Sequence, residues 1–111
     1  MAKFEKKITG DFDSVVRTID KCVMDSGMSM NLVDKSDNQI SDVKIAIRVY
    51  DKYFMRNGSR ASLSVTVVGE EDQILVSAIG AGGGQGVIFN FSLGAETEMV
   101  EIVENCIKRM T

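Results

Sequence analysis

A glycine-rich segment is the first place in this chain where chemistry could occur. Residues 79–91 read IGAGGGQGVIFNF, with five glycines among the seven positions from Gly80 to Gly86. Glycine-rich loops bind phosphates when they follow a strand and open a helix, because the free N–H groups of the helix N-terminus point at the anion. Here alternating apolar residues follow the glycines and predict a strand, and Gln85 stands where the dinucleotide-binding spacing requires glycine. These features argue against a phosphate site.

Two other interpretations of the glycines stay open. The glycines could supply positive φ in a mobile hairpin connection or a bulged strand start, or they could form a flexible flap at the mouth of a cavity. In a flap, the side-chain amide of Gln85 would offer a ligand both donors and an acceptor. We therefore take Gly83, Gly84 and Gln85 as candidate ligand-binding residues.

Basic and aromatic side chains interleave between residues 44 and 60. The bases are Lys44, Arg48, Lys52, Arg56 and Arg60, and the aromatic residues are Tyr50, Tyr53 and Phe54. Exposed aromatic rings beside bases on a sheet bind single-stranded nucleic acids, although the net charge of −3 argues against a polyanionic partner. Arg48 and Tyr50 complete the candidate ligand-binding set. An exposed patch of Tyr50 and Phe54 would also suit the pairing of two copies.

The missing residue types exclude several kinds of chemistry. Histidine is absent, which removes the commonest general base and metal ligand, and two cysteines are too few for a zinc site. We predict no catalytic residue, no metal site and no cofactor. These absences favour a binding role, and an enzyme remains an alternative.

The two cysteines are predicted to be buried free thiols, with a disulfide or a reactive pair as the alternative. Cys22 and Cys106 both fall on apolar faces of predicted helices. The N-terminal residues lack the apolar core of a signal peptide, and the sequence has no apolar run long enough to span a membrane. We therefore expect a cytoplasmic chain without membrane contact, in surroundings that keep thiols reduced.

Hydrophobic periodicity predicts two helices. Apolar residues recur at steps of three and four after Asp11, a predicted N-cap, and stop before Gly27. A second stripe runs from Met99 to Met110. Methionines fall in or beside the interface expected between these helices and the sheet, where they would pack the core or line an adaptable pocket for a small apolar ligand.

Alternating apolar residues predict six strands. The strands are KFEKKIT, 28–32, 43–55, 61–67, 74–78 and 87–93, and the turns are DKSDNQ, Asn57-Gly58 and GEED. In the strand over 43–55, the residues Val43, Ile45, Ile47 and Val49 form one uniformly apolar face, which is typical of an antiparallel sheet with one solvated side. This strand would span roughly 40 Å if straight, so we predict that it coils or bulges.

Together these elements predict a single α+β domain over residues 1–111. Its curved antiparallel meander of about six strands, in the order β-α-β-β-β-β-β-α, carries both helices on one face. That face is expected to be the uniformly apolar one, because each helix has an apolar stripe to bury.

A resemblance accompanies this architecture. The segment DVKIAIRVYDKYFMRNGSRASLSVTVVGEEDQILVSAIGAGGGQ and the order of elements around it resemble a small bacterial family known only as a domain of unknown function. The matching positions are Asp42, Arg48, Tyr53, Ser77, Gly84 and Gln85. The resemblance implies no activity and no cofactor. The architecture is also similar to helix-grip folds and to the TATA-binding-protein-like half domain, but a likeness of fold does not assign function.

The features above favour a noncatalytic cytoplasmic domain that binds a small apolar molecule or a protein partner, as a homodimer. One alternative is an enzyme with its site around the glycine-rich segment. The other is a weak single-stranded nucleic-acid binder that uses the basic and aromatic sheet face.

Overall fold

The computed structural model describes residues 2–54, 58–82 and 93–110. Its elements are β1 (Ala2–Thr9), α1 (Phe12–Met24), β2 (Met30–Ile40), β3 (Val43–Phe54), β4 (Ser59–Glu70), β5 (Gln73–Gly82) and α2 (Leu93–Met110). The five strands form one antiparallel sheet in the order β1-β5-β4-β3-β2, which confirms the predicted α+β class. The predicted strand over 87–93 lies outside the described residues except for Leu93, which begins α2.

Helix α1 begins where the sequence predicts. The carboxylate of Asp11 accepts a hydrogen bond from the backbone N–H of Ser14 at 3.0 Å, and this bond lowers the pKa of Asp11. Val15, Ile19 and Val23 form the buried face of the helix. The predicted amphipathic helix and its N-cap are therefore confirmed.

The hairpins differ from the prediction in two places. Strand β2 continues through DKSDNQ to Ile40, and the turn lies at Ser41 and Asp42, where Ser41 has a φ of 54°. The polar run suits a strand here because β2 is an edge strand and residues 31–40 are all exposed. The irregularity expected in β3 is found instead in β2, where the register shifts between Leu32 and Asp34. The predicted turn at Glu71 is confirmed, with a φ of 54°.

Both helices cover one face of the sheet, as predicted. On β3, however, the covered face is the one that was expected to be exposed to solvent. Tyr50 and Phe54 are only 0% and 5% exposed. Cross-strand pairing places Tyr50 beside Leu63, on the face where every described alternate residue from Ala61 to Val67 is buried. The helices therefore pack on the face that carries Tyr50, and the uniformly apolar face of β3 is left uncovered.

The prediction of free thiols is wrong, because a disulfide joins Cys22 of α1 to Cys106 of α2. Their Cα atoms lie 6.3 Å apart, within the range that a disulfide spans. The apolar stripes of both helices face the sheet, so the two helices lie side by side and bring these positions together. In the described ranges, neither helix has the length and apolar composition needed to cross a bilayer.

Candidate binding surface

The predicted site residues of the glycine-rich segment, Gly83, Gly84 and Gln85, lie outside the described residues. The glycines just before them are held against α2. The backbone N–H of Gly82 donates a hydrogen bond to the buried carboxylate of Glu96 at 3.1 Å. This contact ties Gly82 at the end of β5 to the first turn of α2, and no pattern in the sequence pointed to Glu96 as its partner.

Arg48 lies on the helix side of β3 and has protein partners. Its guanidinium donates to the Asp37 carboxylate at 2.9 Å and to the carbonyl oxygen of Ile47 at 3.0 Å. The Arg48 side chain is 12% exposed. The ion pair connects β2 to β3, and a ligand-binding role for Arg48 stays a prediction.

Tyr50 is buried beneath α1. Its hydroxyl donates a hydrogen bond of 2.6 Å to the carboxylate of Asp20, in the third turn of the helix. Burial, and then this hydrogen bond, raises the pKa of Tyr50 well above its ordinary value. The ring and hydroxyl thus join β3 to α1, and a role for Tyr50 in ligand binding also stays a prediction.

The basic and aromatic side chains of β3 and β4 contact one another. Lys52 lies 5.0 Å from the centre of the Phe54 ring, and Arg60 lies 6.0 Å from that of Tyr53. Arg60 also contacts the Asp51 carboxylate at 3.3 Å. Each of these two bases therefore has a partner within the chain, and nucleic-acid binding by this region stays a prediction.

The uncovered side of the sheet carries a continuous group of apolar residues, which we call the apolar stripe. The apolar stripe consists of Ile40, Val43, Ile45, Ile47, Val49, Val68, Leu75 and Ile79. Ile40 is 68% exposed and Ile79 39% exposed, and the other six side chains are half-buried. Its members lie on four strands, where Ile40 pairs with Val43, Ile45 with Val68 and Val68 with Leu75, and Ile79 lies beyond Ser64 on β5.

Small polar side chains complete the centre of this uncovered face. Ser64 lies between Val49 and Ile79, and Thr66 lies between Ile47 and Ser77. Hydroxyl side chains of this size rise little above the sheet, so the centre of the face is flat. A flat apolar surface of this kind is suited to packing against another sheet.

The two edges of the uncovered face carry different charges. Lys3 and Lys7 of β1 lie on this face, since they pair with Ile79 and Leu75. At the opposite edge, Asp34 of β2 lies on the same face, since it pairs with Val49. Glu5 lies between these two lysines on the same face and accepts a hydrogen bond from the Ser77 hydroxyl at 2.9 Å. On this face, β1 therefore carries two bases and one acid, and β2 carries the acid Asp34.

Among the described residues, no group of three or more acidic or cysteine side chains is placed to hold a metal ion.

A search among curated proteins found no match to the chain. A family profile matches residues 1–111, in agreement with the resemblance noted from the sequence. The chain belongs to DUF6054, a family of unknown function.

Proposed function

We propose that this chain is a noncatalytic binding domain whose uncovered sheet face pairs with the same face of a second copy. The observation that carries this proposal is the apolar stripe. Its central members Ile45, Ile47 and Val49 stay partly exposed, because the two helices of the chain pack on the other side of the sheet. Contiguous apolar surface of this kind commonly marks a site of protein association.

The size of the uncovered face fits a stable dimer. Five strands about 4.8 Å apart, each about 10 residues long, cover roughly 24 by 33 Å. This corresponds to roughly 800 Å² on each partner, the usual size of a specific protein interface. A sandwich of two such sheets would bury the whole apolar stripe in both copies.

The charges of the face favour a second copy as the partner. A twofold axis parallel to the strands would place β1 of each copy opposite β2 of the other. Lys3 of one copy would then lie near Asp34 of its partner, because the two residues lie in the same cross-strand row of the sheet. Such charge complementarity favours a defined register over other arrangements.

Both edges of the sheet discourage the alternative in which two copies join edge to edge. Strand β2 is irregular at Val33 and carries Asp34, Lys35 and Asp37. Strand β1 carries three lysines, at positions 3, 6 and 7. Bulges and charged side chains, lysine above all, are the features that block pairing at exposed edges. Face-to-face packing is therefore the arrangement that the molecule supports best.

A small apolar ligand between helix and sheet has less support than a second copy. Met30 and Met99, expected to line such a pocket, are 4% and 0% exposed and belong to the packed core. Met28 is fully exposed in the connection between α1 and β2. We therefore assign the binding function to the uncovered sheet face.

Sedimentation velocity tests the proposal on the full chain from about 1 to about 100 μM, a range in which a specific interface of this size is expected to hold two copies together. The wild-type chain is expected to form a dimer. Ile47→Lys places a charge in the centre of the apolar stripe and should weaken the dimer by at least about 30-fold. Met28→Lys makes the matched change at an exposed position away from the face and should leave the dimer intact.

Circular dichroism would confirm that both variants are folded. A wild-type chain that is monomeric over the whole range would contradict the proposal. Equal dimerisation of Ile47→Lys and wild type would place any interface elsewhere.

A further inference from the structure

The helix side of the molecule carries a second feature, which is independent of the proposed dimer. A groove of about 540 Å³ runs between α1 and α2 beside the disulfide. Cys22 lines this groove and is half-buried, whereas Cys106 does not line it and is 1% exposed. Only one of the two sulfur atoms can therefore be reached from solvent.

A cation lies against the two sulfur atoms. A guanidinium nitrogen of Arg109 is 2.9 Å from Cys22 Sγ and 3.8 Å from Cys106 Sγ. Among the described residues, no carboxylate is paired with Arg109, whereas the nearby Lys21 is paired with Asp25 at 3.2 Å. A cation beside a sulfur stabilises the thiolate, which is the species that forms when a disulfide is opened.

We propose that the groove is a thiol–disulfide exchange site, at which a small anionic thiol of the glutathione class modifies Cys22. The groove offers such a ligand hydrogen-bonding groups from Thr18, Ser26 and Asn105 and the positive charge of Arg109. These groups suit a short peptide thiol that carries carboxylates and amides.

The exchange step is balanced in atoms and electrons. The thiolate of the incoming peptide attacks Cys22 Sγ, a new S–S bond forms between them, and the bond between Cys22 and Cys106 breaks. The electron pair leaves on Cys106 as a thiolate, which Arg109 stabilises and which then takes a proton from water. In the reverse step the Cys106 thiolate attacks Cys22 and releases the peptide thiol.

Intact-protein mass spectrometry tests the exchange directly. Wild-type protein incubated with reduced glutathione should carry one glutathione per chain, and peptide mapping should place it on Cys22. The variant Cys106→Ser, incubated with glutathione disulfide, should also be modified on Cys22. The variant Cys22→Ser should react at least about tenfold more slowly, because the remaining thiol is buried.

Arg109→Gln tests the role of the cation in the Cys106→Ser background. Modification of Cys22 by glutathione disulfide should slow by about five- to tenfold, because the attacking Cys22 thiolate loses its stabilising charge. The matched control Lys108→Gln removes an equal charge one residue away, where the side chain contacts Glu104, and should change the rate by less than about twofold.

Equal reactivity of the two cysteines would overturn the proposal, and so would equal effects of Arg109→Gln and Lys108→Gln. A third contradicting result would be a wild-type disulfide that accepts no reduced glutathione although Cys106→Ser is modified by glutathione disulfide. Far-ultraviolet circular dichroism of each variant separates loss of reactivity from loss of fold.

Discussion

The Tyr50 hydroxyl and the Asp20 carboxylate show how a single residue joins the helix layer to the sheet. The hydrogen bond between them is 2.6 Å long, and it links β3 to α1 over 30 positions of sequence. The Tyr50 side chain is fully buried, so its hydroxyl depends on Asp20 as a partner. Removing the hydroxyl alone should therefore weaken the contact between α1 and the sheet.

We expect Tyr50→Phe to lower the free energy of unfolding by about 1 kcal/mol, the usual net value of one buried hydrogen bond. Tyr53→Phe is the matched control, because Tyr53 is 42% exposed, and it should change stability by less than about 0.5 kcal/mol. Urea denaturation at neutral pH measures both. Equal stabilities of the two variants would contradict the structural role given to the Tyr50 hydroxyl.

The raised pKa of Tyr50 also predicts how stability changes at alkaline pH. The folded protein holds the phenol proton more tightly than the unfolded chain, whose tyrosine has the ordinary pKa of 10.0. The associated stability is therefore fully present below pH 10 and is lost as the pH rises through the folded-state pKa. Between about pH 9 and pH 11, wild type should lose more unfolding free energy than Tyr50→Phe. Parallel losses in the two proteins would contradict this assignment.

At the scale of elements, the close approach of α2 to β5 depends on Gly80. A Cβ atom at this position would lie 2.5 Å from the carbonyl oxygen of Glu96 and 3.0 Å from a methyl group of Val100. The helix backbone cannot move aside as a flexible side chain can. Glycine is thus required by helix packing at this end of the glycine-rich segment.

We expect Gly80→Ala to destabilise the protein by about 1–3 kcal/mol, since the added methyl group must displace α2. Gly10→Ala is the matched control, because a Cβ there would meet its nearest atom, a methyl group of Val15, at an ordinary 3.6 Å. Thermal or urea unfolding of the two variants gives the comparison. If Gly80→Ala is as stable as Gly10→Ala, α2 does not pack against β5 as closely as the structure shows.

The periodic elements could be predicted from the sequence, whereas the side of β3 that faces the helices was predicted wrongly. Both faces of β3 carry apolar residues, and the longer aliphatic row from Val43 to Val49 suggested the core. The pairing register decides which face of β3 packs against the helices, because residues that pair across strands have their side chains on the same face. A two-residue turn at Asn57-Gly58 would already have placed Tyr50 beside the apolar row of β4, so this signal was present in the sequence.

The disulfide and the groove beside it could not be predicted in the same way. Cys22 and Cys106 are separated by 84 positions, and each helix alone shows only an apolar stripe. Their proximity depends on β1 pairing with β5 at the sheet edge, which places α1 beside α2. Long-range pairing of this kind has no local sequence signal.

At the scale of the whole molecule, the disulfide joins two helices whose cysteines are 84 positions apart in the chain. Replacing both cysteines by serine should lower the free energy of unfolding by about 2–4 kcal/mol, since the unfolded chain gains freedom when the large loop is opened. Wild type unfolded in the presence of a reductant should approach the double variant in calorimetry. Identical melting temperatures with and without the bond would contradict a stabilising role.

The molecule as a whole is a two-sided sheet with one covered and one uncovered face, and its proposed function depends on what the uncovered face contacts in solution. Isotope-filtered NMR on an equal mixture of labelled and unlabelled chains measures this directly. We predict intermolecular contacts from the methyl groups of Ile45, Ile47 and Val68. Contacts arising instead from methyl groups on α1 or α2, or a chain that stays monomeric at NMR concentration, would contradict the central claim.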